Sequence, residues 1–151
     1  MVLAITVALV LAVSEADVRA FVARQEAAWN ARNVPRWAAT FTPDARFVDQ
    51  ARGSDNSIVP TGSSSLAQAT AQARRFFARS RFRETARVTR VQLGPDGRSA
   101  EVFGYETSRI ESAGKPERTL CAQTEQRLVL QAGRLLSRGQ TDTAVRCRAA
   151  Y

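Results

Sequence analysis

Histidine is absent from this 151-residue sequence. Its absence excludes Ser-His-Asp and Cys-His nucleophile systems and every histidine-based zinc site. Proton transfer therefore falls to Asp, Glu, Tyr, Cys, Lys or water. Lysine is nearly absent too: Lys115 is the one lysine among 22 basic residues. The arginines are scattered and form no basic tail. Cysteine occurs only at Cys121 and Cys147, with a spacing that matches no metal motif. No apolar run reaches the roughly 20 residues that a bilayer span requires. With 44% apolar and 24% charged residues, the chain is neither disordered, collagen-like nor a polytopic membrane protein. Its length fits one domain, and nothing in it calls for a metal or a cofactor.

The net charge is +8, which raises nucleic acid or an anionic surface as partners. The densest run, Arg74 to Arg83, interleaves arginine with Phe76, Phe77 and Phe82. It reads as a solvated helix end whose phenylalanines enter the core, so no nucleic-acid partner is expected. Val2 to Val13 is apolar except for Thr6, the length of a secretory signal core, with small residues at Ala12, Ser14 and Ala16. Residues 1–14 are therefore expected to form a signal-peptide-like segment and 15–151 a single domain. The location expected is periplasmic or secreted. An oxidising compartment suits a Cys121–Cys147 disulfide; two free buried thiols are the alternative.

Ser14 and Asp17 mark a helix start. Val18, Phe21, Val22, Gln25 and Trp29 follow on one helical stripe to about Asn33. A short helix with Pro35 in its first turn comes next, with Trp37 and Phe41 turned inward. Residues 45–50 read as a strand and 51–65 as a Gly/Ser/Asp/Asn-rich loop. One of Ser63 to Ser65 caps a third helix carrying Leu66, Ala69, Ala73, Phe76 and Phe77. Beyond Phe82, strands at 84–93, 98–110, 118–131 and 134–147 are separated by turns at 94–97, 112–116 and 132–133. Helices followed by an antiparallel meander give an α+β class. A two-residue turn at Ala132-Gly133 places Cys121 opposite Ala144, leaving Cys147 on the other face. The disulfide then requires a bulge or a tail that folds back.

Three polar residues sit where the pattern demands apolar ones. Gln25 lies on the first helix's apolar stripe. Gln126 shares a strand face with Leu128 and Leu130, and Asp49 shares one with Phe47. Burying such groups is costly unless they are paired, so their convergence predicts a polar-floored pocket. Local roles for each, such as backbone bonding or turn capping, are the alternative.

Ala28-Trp29-Asn30-Ala31-Arg32-Asn33-Val34, then Trp37, Phe41, Asp44-Ala45 and Phe47-Val48-Asp49, resemble the opening of nuclear-transport-factor-2-like (NTF2-like) proteins. The SnoaL-like and ketosteroid-isomerase-like branches are nearest. The resemblance implies a curved antiparallel sheet wrapped by three N-terminal helices, one conical cavity, and often a homodimer through the sheet. It puts Asp49 at the isomerase branch's proton-shuttling base. Gln25 falls on that branch's helix-one tyrosine, and Gln126 (or Glu125) on its protonated aspartic acid. With both oxyanion donors changed, steroid isomerisation is not expected. The leading expectation is an exported module binding a small, largely apolar molecule through Gln25, Trp29, Phe47 and Gln126. The alternatives are a proton-transfer enzyme using Asp49 as base, and a protein-interaction domain using the sheet face.

Overall fold

A computed structural model of the chain describes residues 12–148. Residues 1–11, which carry most of the signal-like segment, lie outside the described residues. Val13 and Ser14, grouped with that segment by sequence, belong to the fold. Val13 is buried and its N–H donates to the Gly97 carbonyl at 2.8 Å.

Helix α1 spans Glu15–Asn30. Ser14 closes a reciprocal capping box with Asp17, satisfying two backbone donors of the first turn. Val18, Phe21, Gln25 and Ala28 form its buried stripe. The chain leaves the helix through Arg32 in the left-handed region, at φ 56°. Helix α2 (Val34–Ala38) is capped by Asn33, with Pro35 in its first turn. Strand β1 (Phe41–Arg52) is twice the expected length.

The stretch expected as a loop at 51–65 holds strand β2, Ile58–Ser65. Its sequence IVPTGSSS has no apolar alternation, and six of its eight residues are exposed. Backbone pairing to β1 holds it at the sheet edge, a position that tolerates Pro60 opposite Gln50 beside a register shift. Helix α3 (Leu66–Arg79) follows without a linker, capped by Ser65 and Gln68. Strands β3 (Ser80–Leu93), β4 (Ser99–Ser112), β5 (Arg118–Gln131) and β6 (Arg134–Val145) complete the chain.

The strands form one curved, unclosed six-stranded sheet in the order β2-β1-β6-β5-β4-β3. It is mixed, correcting the expected all-antiparallel sheet: β1 and β6 pair parallel. As expected, all three helices precede the long strands β3 to β6, two of them ahead of β1. The closed end of the concave face is packed with Val13, Val18, Phe21, Ala100, Val102 and Leu128. At the other end Trp29 meets Trp37, Phe77 and Phe82 with ring centroids 4.8–5.5 Å apart, joining all three helices to β3. Phe76, Phe77 and Phe82 pack among these rings while Arg74, Arg75, Arg79, Arg81 and Arg83 are exposed.

Cys121 and Cys147 are bonded, with Cα atoms 5.1 Å apart. Of the two routes the pairing arithmetic left open, a bulge or a folded-back tail, the bulge is present. Pairs from Gln131↔Arg134 to Leu128↔Ser137 keep the register of the turn, which then shifts by one residue between Gln126 and Leu128. Cys121 therefore faces Val145, and Cys147 lies two residues on, with the same parity. Gly139 sits in this shifted segment at φ 129°, where a Cβ would collide with the Arg46 carbonyl. Only glycine fits there.

Candidate functional site

The strand pleat carries Glu84 (β3), Glu106 (β4), Gln126 (β5), Gln140 and Asp142 (β6) and Phe47 (β1) to the concave face. Helix α1 lies across them. Its first two turns are apolar where they meet the closed end; its last turns present Gln25, Glu26 and Trp29. Between helix and sheet is a cavity of about 110 Å³, lined by these residues together with Val22, Trp37 and Ala86. A groove of about 550 Å³ adjoins it, lined by Asp49, Thr61, Leu120 and the Cys121–Cys147 bridge. Glu84, Glu106 and Asp142 line both spaces, so the carboxylates form their shared wall.

The amides are tied into a relay. Gln126 Nε2 donates to Gln25 Oε1 at 2.9 Å, Gln25 Nε2 to Thr40 Oγ1 at 3.0 Å, and Thr40 Oγ1 to the Trp37 carbonyl at 2.7 Å. Gln126 Oε1 is buried and has no partner among the described residues. Gln140 Nε2 bridges Glu106 Oε1 and Asp142 Oδ1. Glu26 accepts from the Ala86 N–H at 3.0 Å, and Asn30 exchanges two 2.8 Å hydrogen bonds with the Glu84 backbone. These two side chains satisfy the free edge of β3 and lock α1 onto it.

Crowding acids in low dielectric disfavours their charged forms. Burial, then the charge of Asp142, raises Glu84 from an ordinary 4.5 to about 7; hydrogen bonds from Ser108 and Trp29 oppose the rise. Burial, then the charges of Glu84 and Asp142, hold Glu106 well above its usual range. Asp142 is raised to about 6, chiefly by burial, with Asp49 adding to it and Gln140 opposing. A set of carboxyls poised around neutrality can accept or donate protons and hydrogen bonds.

Of the residues singled out by sequence, Gln25, Trp29, Phe47 and Gln126 meet on the cavity wall. Asp49 does not join them. It is exposed, lines the adjoining groove, and pairs in register with Asp142. The expectation that an inward Phe47 buries Asp49 with it fails, because β1 reaches the sheet rim and bulges between Asp49 and Gln50. Glu84, Glu106 and Asp142 were missed. The alternation argument that exposed Gln126 applies equally to Glu84, which shares a face with Phe82 and Val88. It applies also to Glu106, between Val102 and Ile110.

No family model matches the chain, and no curated protein matches it in sequence. Solved structures do match. A ketosteroid isomerase-like protein from Erwinia carotovora atroseptica superposes with a TM-score of 0.66 at 16% identity, covering 87% of this chain and 96% of that one. An NTF-2 like protein from Shewanella oneidensis gives 0.62 at 11% identity, covering 85% and 97%. The chain has the NTF2-like fold. The β subunit of benzoate 1,2-dioxygenase from Burkholderia mallei has it too, at a TM-score of 0.63 and 12% identity, covering 88% and 91%. At these identities the NTF2-like likeness concerns architecture, and this fold hosts unrelated functions. Function has to be argued from the site.

Proposed function

We propose that this NTF2-like chain is an exported small-molecule-binding protein. Its ligand lies in the concave cavity, with a largely apolar body against Trp29, Trp37 and Phe47 and its polar end towards the carboxylates and Gln126. One observation carries the reading: aromatic rings, carboxylates and amides line one unfilled space, and among the described residues the buried Gln126 Oε1 there lacks a partner. Such convergence of a few polar groups on an aromatic lining is how ligand sites fix orientation. The disulfide is compatible with export to an oxidising compartment. Among the described residues no helix is long and apolar enough to cross a membrane. A homodimer through the outer sheet face is part of the proposal, and sedimentation equilibrium tests it.

Native mass spectrometry of protein purified from its source tests the binding reading. A retained small molecule that is lost in Trp37→Ala supports it. Protein that carries nothing, and whose tryptophan fluorescence responds to no member of a small-molecule set, refutes it.

A proton-transfer enzyme is the second reading, favoured by the upward shifts of Glu84 and Asp142 beside the cavity. Deuterium exchange next to the carbonyl of a cyclic ketone probes it. Loss of exchange in Asp49→Asn assigns the base to Asp49 in the groove, and loss in Glu84→Gln assigns it to the wall that cavity and groove share. No exchange above buffer in the unsubstituted protein rejects this reading.

A further inference from the structure

The chemistry of the cavity wall is lopsided. Carboxylates enter it from α1 (Glu26), β3 (Glu84), β4 (Glu106) and β6 (Asp142), and among the described residues no Arg or Lys lines it. Strand β5 contributes Gln126, α2 contributes Trp37, and β1 contributes Phe47, with Asp49 in the groove beyond. In a chain of net charge +8, this concentration of acid runs against the sign of the whole molecule.

Each amide nitrogen already donates within the wall. Gln25 Nε2, Gln126 Nε2 and Gln140 Nε2 donate to Thr40, to Gln25, and to Glu106 and Asp142. The buried cavity-lining atom left without any partner among the described residues is an acceptor. Gln126, only 6% exposed, keeps an Oε1 without a donor, and that observation is independent of the acids. An unpaired buried acceptor costs free energy that a ligand donor would restore. The same cavity is lined by Trp29, Trp37 and Phe47, aromatic rings of the kind that attract a desolvated cation.

We propose that the ligand's polar end is a small organic cation, an alkylammonium or quaternary ammonium head. It sits among Trp29, Trp37 and Phe47 and the carboxylates of Glu84, Glu106 and Asp142, all of which line the one cavity. The inference rests on the small-molecule reading above and narrows its ligand class. The cavity, at about 110 Å³, has room for a head of a few heavy atoms. A cation placed against these acids favours their ionised forms. Binding therefore releases protons, and affinity rises with pH across the range where Glu84 and Asp142 titrate. A neutral ligand that accepts hydrogen bonds behaves oppositely, since it needs the protonated carboxyls.

Choline and its neutral carbon isostere, with tert-butyl in place of trimethylammonium, separate these cases. Both are titrated calorimetrically into the unsubstituted protein at about pH 6 and about pH 8, in two buffers of different ionisation heat. Choline is expected to bind at least roughly tenfold tighter than the isostere at the higher pH. It should weaken several-fold at the lower pH and release protons on binding. Glu106→Gln, close to isosteric, should weaken choline about tenfold and leave the isostere unchanged. Equal binding of the two ligands, or choline binding indifferent to pH and to Glu106→Gln, overturns the cation inference while leaving a small-molecule site intact. No binding of either at millimolar concentration also overturns it, and the retained-ligand measurement then judges the broader reading alone.

Discussion

Helix α1 crosses two regions of one concave surface, and they obey opposite rules. At the closed end Val18 and Phe21 are 0% and 1% exposed and pack on Val102 and Leu128. Every group there is hydrocarbon, and burial stabilises the fold by about 25 cal/mol per Å² of apolar area. One to two turns further on, Gln25, Glu26 and Trp29 face Glu84, Glu106, Gln126 and Asp142 across a space that hydrocarbon could have filled. Buried like charges cost stability unless they are neutralised or paired. The closed end is built to hold the molecule together. The open end gives up stability to keep acids, an unpaired amide oxygen and aromatic faces in contact with one space, which marks it as the functional region.

Substitutions should separate the two ends by the sign of their effect. The largest change is expected from Phe21→Ala, which cuts a cavity into the closed end and should cost about 3–5 kcal/mol in urea unfolding. A cost near zero would mean that this end is not the stabilising core.

Next comes the bridge beside the groove. Cys147→Ser should cost about 2–4 kcal/mol, because the disulfide closes a long loop in the unfolded chain. The unsubstituted protein should show no free thiol to alkylation under non-reducing conditions.

The acids should act in the other direction. Unfolded, Glu84 releases its proton near 4.5; folded, it does so near 7. Between those values the native state holds more protons than the unfolded one, so stability falls as pH rises. The contribution is fully present below the lower value, and the deficit is complete above the upper. Asp142, shifted from 3.8 to about 6, adds to the same decline. Urea midpoints should therefore drop between about pH 5 and about pH 8, by on the order of 2 kcal/mol in stability. Glu84→Gln should flatten the slope and stabilise the protein at the upper end. A flat profile in the unsubstituted protein would remove the contrast between the two regions. The smallest effect should come from Ser14→Ala, which opens the capping box at the closed end for about 1 kcal/mol and leaves the pH slope unchanged.

Features governed by neighbouring residues were legible in the sequence. Ser14 and Ser65 cap helices, Gly97 and Gly133 make tight turns, and alternation marks β3 to β6, because each depends on contacts within a few residues. Strand β2 was not legible. Ser, Thr, Gly and Pro spell a loop locally, and only pairing with β1 makes them a strand. For the site, the outlier test worked at Gln25 and Gln126, where a polar side chain interrupts an apolar face. It misled at Asp49, because parity names a face of a strand but not how far along it the cover ends. Glu84 and Glu106 carry the same signal, each a carboxylate on a strand face shared with Phe82 and Val88 or with Val102 and Ile110.

Composition and periodicity by themselves determined an α+β domain, its turns, the exclusion of histidine chemistry and the need for a bulge or a folded-back tail if the cysteines are to meet. The tertiary structure alone decided that β1 runs parallel to β6, that the register slips between Gln126 and Leu128, and that four acids from four elements share one cavity. The reason is range: caps, turns and alternation are set by a residue's own backbone and nearest neighbours. Which side chains meet across the sheet depends on strand order and register, and those are fixed only when the whole concave face packs against its helices.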